Sequence, residues 1–276
     1  MALQKFSKWA RAGVRGSALL NVMIDAAGKA GRNLVRHFHD IDSMQVSTKG
    51  PVDFATEADR RAEHILFESL SKARPNYGFL MEERGVISGA DISNRWIIDP
   101  LDGTLNFLHG LPHFAVSIAH ERDGNLFTGV VYEPVSDQMF WAERGQGAFM
   151  NGRRIRVSTR RDFSESLFST GIPFKGRENH KSFIEQLERV MAMSAGVRRF
   201  GSASLNLAYL ATGRYDGFWE QGLNAWHIAA GIVLVREAGG IVSDFSNRSR
   251  HILERGEIIA SNGNLHNELQ KLIGET

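Results

Sequence analysis

Two aspartates, a glycine and a threonine follow a short apolar run near residue 100. Residues 96–98 (Trp-Ile-Ile) have the character of a buried strand, and Asp99, Asp102, Gly103 and Thr104 come directly after it. Carboxylates beside a hydrophobic core are unfavourable unless a cation neutralises them. Stability alone therefore explains this stretch poorly. We interpret it as part of a phosphate-handling active site in which the neutralising cation is a metal.

Two further apolar runs end in acids. Residues 79–81 (Phe-Leu-Met) precede Glu82 and Glu83, and the run 215–220 ends at Glu220. Adjacent acids after a strand usually belong to a solvated loop. A second acid-terminated strand in the same chain nevertheless favours a shared site.

Hydrophobic spacing predicts the elements that position these residues. Apolar residues recur at helical spacing over 17–38, and a second helix is predicted to open at Thr56. Thr56 and Asp59 fit a capping box, which is compatible with a chemical role for Asp59. Asp-Gly at 123–124 and Asn-Gly at 151–152 are turns in a β-rich section. Other helices are predicted over 181–193, 205–212, 226–238 and 265–273, and other strands over 215–220, 241–244 and 258–260.

Composition indicates a globular protein without thiol chemistry. The 276-residue chain is 42% hydrophobic, which is enough for a substantial core, and it contains no cysteine. Disulfides, thiolate metal sites and cysteine nucleophiles are therefore excluded. No apolar run approaches the ~20 residues that a membrane span requires. We predict a cytoplasmic protein that does not associate with membranes.

Positive charge is concentrated at the N-terminus. Residues 1–16 contain four basic residues and no acid, so the formal net charge of +2 leaves −2 for the remainder. Because the chain after residue 16 is slightly acidic, we do not expect it to bind nucleic acid directly. The basic segment fits a frayed terminus or an amphipathic targeting or membrane-surface segment. We predict a basic arm at 1–16, an α/β half at 17–157 with most metal ligands, and an α/β half at 158–276 that completes the site.

Four motifs in order resemble the inositol monophosphatase family. Residues 99–107 (Asp-Pro-Leu-Asp-Gly-Thr-Leu-Asn-Phe) are similar to its first signature, and residues 226–231 and 235–240 are similar to its second. Residues 53–59 and the Glu82-Glu83 pair are also similar to motifs of this family, in the same order. The resemblance extends from about residue 17 to the C-terminus. It implies an α/β fold, a layered αβαβα sandwich, that usually forms a homodimer.

The resemblance also implies an activity, the hydrolysis of phosphate monoesters with Mg²⁺ and without a covalent phosphoenzyme. Clustered carboxylates suit Mg²⁺, which prefers oxygen ligands. By the same resemblance, Glu82, Asp99 and the carbonyl of Leu101 hold a first metal, and Asp99 and Asp102 share a second. Inhibition by lithium is a further expectation.

Catalytic and phosphate-binding roles follow from the same resemblance. Thr104, hydrogen-bonded to Asp59, is expected to orient and deprotonate the attacking water, and Glu83 is expected to support that region. The amides of Gly103 and Thr104 are expected to bind phosphate oxygens at the start of a helix. Lys49 is expected to add positive charge from a loop.

Three positions match residues that line the polyol part of the substrate in the family. They are Ser202, Ala203 and Glu220, and Asp102 is expected to lie beside the substrate as well. Glu220 would accept hydrogen bonds from sugar hydroxyls. The alternative is that Glu220 is an ordinary surface acid.

One residue departs from the family pattern. The family has an aspartate after the tryptophan of its second signature, as a ligand of the second metal, and this chain has His227. An imidazole offers one nitrogen and no negative charge, which Mn²⁺ or Zn²⁺ tolerates better than Mg²⁺. His227 can therefore bind Mn²⁺, leave the second metal weakly held, or mark a fold that now serves binding. It can also simply begin a helix while the remaining acids suffice.

We favour a metal-perturbed phosphatase that hydrolyses inositol 1-phosphate by direct attack of a metal-activated water, with Mg²⁺ as cofactor and Mn²⁺ as a possible substitute. Glu220 and the short loop at 171–180 favour a small polyol phosphate over a nucleotide. The alternatives are another small substrate, such as fructose bisphosphate or histidinol phosphate, and a catalytically weakened regulatory or RNA-associated family member.

Overall fold

A computed structural model describes residues 16–44, 51–173 and 180–274, without the side chains of 41–44 and 51–56. The expectations for Lys49 and for residues 1–15 of the basic arm lie outside these residues. None of the helices in the described ranges is long and apolar enough to cross a membrane.

The described chain contains helices and strands in both halves. The helices are α1 (Ala18–Met44), α2 (Pro51–Ala73), α3 (Thr104–Leu108), α4 (His180–Met193), α5 (Ala203–Ala211), α6 (Ala225–Glu237), α7 (Ile252–Arg255) and α8 (His266–Gly274). The first eight strands are β1 (Tyr77–Met81), β2 (Gly85–Ile87), β3 (Asp91–Asp102), β4 (Ala115–Arg122), β5 (Asn125–Glu133), β6 (Gln138–Glu143), β7 (Gly147–Met150) and β8 (Arg153–Ile155). The other five are β9 (Leu167–Thr170), β10 (Gly196–Arg198), β11 (Gly217–Gln221), β12 (Ile241–Ser243) and β13 (Glu257–Ser261).

Two sheets are separated by a layer of helices. The first has eight strands in the order β2-β1-β3-β4-β5-β6-β7-β8, and the second has five in the order β10-β9-β11-β13-β12. Helices α1 and α2 cover one face of the first sheet, α5 and α6 lie between the sheets, and α4 and α8 cover the second sheet. This arrangement confirms the predicted αβαβα sandwich.

Three apolar clusters fill the spaces between these layers. Trp96 and Ile98 of β3 face α1 and α2, whereas Ile97 faces the α5–α6 layer. This alternation follows from the two-residue period of a strand, with both faces of the sheet covered. All three side chains are fully buried, which fixes β3 and the acids at its end.

Most predicted elements are confirmed, but the start of the second helix is wrong. The helix is already formed at Pro51, five residues before the predicted opening at Thr56. Proline suits the first turn of a helix, because its missing N–H would have no partner there. The two sheets use residues on either side of the boundary predicted between 157 and 158. The division into two halves itself stays a prediction.

The contact between β5 and α6 gives a test of this architecture. A Cβ atom at Gly129 would lie 2.5 Å from the carbonyl oxygen of Ala230, so the helix backbone rests directly on the strand. We expect Gly129→Ala to lower the free energy of unfolding by about 1–3 kcal/mol, because backbone cannot move aside as a side chain can. Urea unfolding followed by circular dichroism measures this change.

Gly263→Ala is the matched control for that substitution. A Cβ atom there would meet only the Ile241 side chain, at an ordinary contact distance of 3.7 Å. The control should stay within about 0.5 kcal/mol of the wild type. Equal effects of the two substitutions would contradict the close packing of β5 and α6.

Candidate active site

Strand pairing brings two of the predicted acids together. Strands β1 and β3 are parallel neighbours in which Met81 is opposite Ile98. Glu82 and Asp99 are the next residues along each strand, so they lie side by side at the same edge of the sheet. Helix α6 begins nearby and carries His227 in its first turn. One donor atom from each of Glu82, Asp99 and His227 lies within 4.8 Å of the other two.

Asp99 is the centre of this group. One carboxylate oxygen, Oδ2, lies 2.9 Å from Nδ1 of His227, and the other, Oδ1, accepts a hydrogen bond of 3.0 Å from the Leu101 amide. The Asp99 side chain is fully buried, and the His227 side chain is 20% exposed. The histidine is therefore the partly exposed partner of a fully buried carboxylate.

The electrostatics of the group favour a positive charge. Burial disfavours protonation of His227, but the hydrogen bond to Asp99 and the negative charges of Asp99, Asp102 and Glu82 raise its pKa to about 9. Burial, followed by repulsion from Asp99, raises the pKa of Glu82 as well. Without a bound metal ion, the negative charge of these acids is compensated by protonation of a carboxylate or by the His227 imidazolium.

Asp59 lies on α2 beside the same acids. Burial raises its pKa to about 9, and repulsion by Asp99, Glu82 and Glu83 adds to that increase. Its buried Oδ1 atom has no hydrogen-bond partner within the described chain. A buried oxygen without a donor, next to other carboxylates, is the environment that a cation or a reacting water would complete.

Glu83 is not among the three residues whose donor atoms converge. Its side chain forms an ion pair of 3.5 Å with Arg60, and its amide donates a hydrogen bond to Glu63. Its negative charge still reaches Asp59. The structure thus gives Glu83 an electrostatic influence on the site, and its predicted supporting role stays a prediction.

The predicted hydrogen bond between Thr104 and Asp59 is wrong. Both side chains are described, and the Thr104 hydroxyl instead donates a 2.9 Å hydrogen bond to the Leu101 carbonyl. Gly103, which precedes Thr104, has a left-handed backbone conformation (φ 99°). This conformation turns the chain back, so that the Thr104 hydroxyl reaches the Leu101 carbonyl at the end of β3. A hydroxyl has only one proton to donate, and Thr104 donates it to Leu101, so it does not donate to Asp59. The Leu101 carbonyl, predicted as a metal ligand, already accepts that bond.

Asp102 is held by the start of α5. Its Oδ2 atom accepts hydrogen bonds from the hydroxyls of Ser202 and Ser204 and from the Ser204 amide, at 2.7, 2.5 and 2.7 Å. Ser202 also caps the helix by accepting a hydrogen bond from the Leu205 amide. Ser202 was expected to line the substrate, and the structure shows its hydroxyl bound to a predicted metal ligand. Sequence reasoning missed Ser204, although its place two residues after Ser202 was visible.

The remaining predicted substrate residues, Ala203 and Glu220, lie on α5 and β11. Ala203 is buried in the first turn of α5. Glu220 lies on β11 of the second sheet with its carboxylate against Gly171, where a Cβ atom would be 2.0 Å from the Glu220 Cδ atom. The structure does not place Glu220 in the Glu82–Asp99–His227 group.

The donor atoms of the group fit a divalent metal ion. Two carboxylates and one imidazole nitrogen converge, and Asp59 adds a buried oxygen that has no partner among the described residues. Carboxylates suit Mg²⁺, whereas a nitrogen ligand is better tolerated by Mn²⁺ or Zn²⁺. The residues therefore fit a metal ion but do not identify it.

Comparison with known proteins identifies the family of the chain. A sequence model of the inositol monophosphatase family matches residues 16–276. The chain belongs to the inositol monophosphatase family. It is 55% identical to an inositol-1-monophosphatase from Mesorhizobium japonicum, over 93% of this chain and 96% of that protein.

Two other members of the inositol monophosphatase family carry different names. A Nus factor SuhB from Pseudomonas aeruginosa is 46% identical over 88% of this chain and 91% of its own length. A crystal structure of extragenic suppressor protein SuhB from Bartonella henselae is 50% identical, with a TM-score of 0.87 over 94% of this chain and 99% of that one. The family places the chain among metal-dependent phosphoric monoester hydrolases.

The raised pKa values predict how the metal-free protein responds to pH. Folded Asp59 retains its proton up to about pH 9, while its ordinary pKa is 3.8. Between these values the folded protein binds more protons than the unfolded chain, so the free energy of unfolding falls as pH rises. The raised pKa of His227 acts in the same direction between 6.5 and about 9.

Thermal unfolding of the metal-free protein at pH 6 and pH 9 tests this expectation. Asp59→Asn removes one of the groups, so the variant should gain in Tm relative to the wild type as pH rises. Mn²⁺ should raise the wild-type Tm more at pH 9 than at pH 6, since protons compete with the ion. A Tm difference between variant and wild type that is constant with pH would contradict the assignment of Asp59.

Proposed function

We propose that the protein hydrolyses inositol 1-phosphate to myo-inositol and phosphate, with Mg²⁺ or Mn²⁺ as cofactor. The observation that carries the proposal is the convergence of Glu82, Asp99 and His227 where β1, β3 and α6 meet. Relatives named inositol-1-monophosphatase support the choice of substrate.

The residues around the site have separable tasks in this proposal. Glu82 and Asp99 supply the negative charge that holds a divalent ion, and Asp102 adds a carboxylate from the end of β3. When bound, such an ion neutralises the phosphate and lowers the pKa of water. A bound cation would offset the repulsion that raises the pKa of Asp59. The buried Oδ1 atom of Asp59, which has no hydrogen-bond donor in the described chain, would then be suited to accept a proton from the attacking water.

Substrate contacts form the second part of the proposal. The amides of Gly103 and Thr104, at the start of α3, would donate to phosphate oxygens. The hydroxyl of Ser202 is already bound to Asp102. Ser202 and Ala203 would therefore contribute to substrate binding through their position at the start of α5. Glu220 would accept hydrogen bonds from the polyol. A homodimer, a cytoplasmic location and inhibition by lithium are included on the basis of family membership.

Asp99→Asn tests the proposal most directly. Loss of the shared carboxylate charge should reduce phosphate release from inositol 1-phosphate by about 100-fold or more, since even groups that only support metal ligands contribute ~10–100-fold. Asp162→Asn is the control, because Asp162 is an exposed residue whose carboxylate accepts hydrogen bonds from the Ser164 amide and hydroxyl. Phosphate release by Asp99→Asn at the wild-type rate would refute the proposed site. Fructose bisphosphate and histidinol phosphate, assayed in parallel, test the choice of substrate.

His227 generates a separate prediction about metal preference. His227→Asp should lower the Mg²⁺ concentration for half-maximal activity by about tenfold, because it replaces a nitrogen by oxygen and adds a negative charge. The shift for Mn²⁺ should be smaller. Metal titrations of phosphate release measure both.

His251→Asp is the control for that titration. His251 is an exposed residue at the start of α7, paired with Glu254. Its replacement likewise introduces a carboxylate, but at the surface, and should leave both metal titrations unchanged. If His227→Asp gains nothing at low metal concentration, the histidine does not perturb the metal site.

A role as a Nus factor is the second candidate function. The observation that favours it is the name of several relatives at 44–46% identity. The relatives named inositol-1-monophosphatase are more similar, at 48–55%. The two functions need not compete, because hydrolysis depends on the acids of the site whereas binding a partner depends on the protein surface.

A further inference from the structure

Asp102 is attached to the second half of the chain through a single oxygen. The residue lies at the end of β3, and its side chain is buried against the start of α5. The hydroxyl of Ser202, the hydroxyl of Ser204 and the amide of Ser204 all donate to Oδ2. Within the described chain, no hydrogen bond to Oδ1 accompanies them.

Three donors on one oxygen fix the rotation of the carboxylate. Oδ2 has its lone-pair directions occupied, so Oδ1 is the oxygen left for a cation. The carboxylate lies within the electrostatic reach of Asp99 and His227, whose charges affect its pKa in opposite directions. Oδ1 is therefore the ligand atom that Asp102 can contribute to the metal group.

The segment that supplies these donors is itself held in place. The side chain of Asn106, 5% exposed, donates to the carbonyls of Phe200 and His113 at 2.6 and 2.8 Å. Gly201 follows in the left-handed region (φ 85°), and Ser202 then caps α5. The hydroxyls thus approach Asp102 from a clamped turn and a capped helix.

The two serines differ in what else they do. The Ser202 hydroxyl also accepts from the Leu205 amide, so its removal would weaken the helix start. The Ser204 hydroxyl, fully buried, has Asp102 as its short partner and only a 3.5 Å contact with Ser202 besides. Retaining a buried hydroxyl at this point has no other structural use in the described chain.

We propose that Ser204 is a positioning residue for the metal site. Its hydroxyl and amide turn Asp102 so that Oδ1 alone faces the cation, and the second half of the chain thereby sets the metal affinity of a ligand in the first half. The inference rests on the proposed function, because it assumes a divalent ion at the Glu82–Asp99–His227 group, to which Asp102 adds a ligand.

Mn²⁺ binding to the full chain, measured by electron paramagnetic resonance without substrate, tests this role. Ser204→Ala keeps the backbone amide bond and removes only the hydroxyl. It should weaken Mn²⁺ binding by about tenfold, as expected for a group that orients a metal ligand. The Mn²⁺ concentration for half-maximal activity should rise by the same factor, with kcat at saturating Mn²⁺ close to that of the wild type.

Ser261→Ala is the matched control. Ser261 is also fully buried, and its hydroxyl bonds to His266 at 2.8 Å in the second sheet, away from the acids. This variant should lose stability without losing Mn²⁺ affinity. Unchanged Mn²⁺ affinity in Ser204→Ala, or an equal loss in both variants, would refute the positioning role.

The proposed function and this inference fail in different ways. If the wild type binds Mn²⁺ and Ser204→Ala binds it equally well, only the inference is wrong. If the wild type binds no Mn²⁺, the proposed metal-dependent function is wrong and the inference is refuted with it.

Discussion

The structure depends on the concentration of negative charge at the end of β3. Glu82, Asp59 and Asp102 surround Asp99, and all four are partly or fully buried. Carboxylates this close cannot all be ionised without a compensating cation. In the protein alone, protons and the His227 imidazolium provide that compensation, and a divalent ion would have to replace them. The layers of the fold hold the acids close enough for this competition to exist.

Tight packing between the two sheets determines where the histidine lies. Residues 228–235 of α6 are buried, and small residues let the helix approach its neighbours closely. A Cβ atom at Gly231 would lie 2.4 Å from Leu207 of α5, just as one at Gly129 would meet the backbone of α6. Because interiors are packed like crystals, α6 has little freedom to slide. The 2.9 Å contact between His227 and Asp99 is therefore a product of the fold as a whole.

The acids of the site were predictable from sequence, whereas their partners were not. Glu82 and Asp99 each follow an apolar run, and parallel pairing of such runs places their ends together whatever the rest of the chain does. The hydrogen bond from the Thr104 hydroxyl to the Leu101 carbonyl depends on the geometry of a turn. The hydrogen bond from Ser204 to Asp102 joins residues that are 102 positions apart. Local pattern carries no signal for such contacts. Strand β9 was missed for a similar reason, since Leu-Phe-Ser-Thr gains its strand character by pairing with β10 and β11.

The His227–Asp99 contact links the stability of the fold to the occupancy of the site. The contact satisfies a fully buried carboxylate when no ion is bound, and both of its partners belong to the group of potential metal ligands. Metal binding must then displace a proton from this pair, so its affinity depends on pH as well as on the number of ligands. An aspartate at the same position would attract the ion but would leave the metal-free protein with one more buried negative charge. We therefore expect the histidine to favour a stable metal-free protein over tight binding of a hard cation such as Mg²⁺.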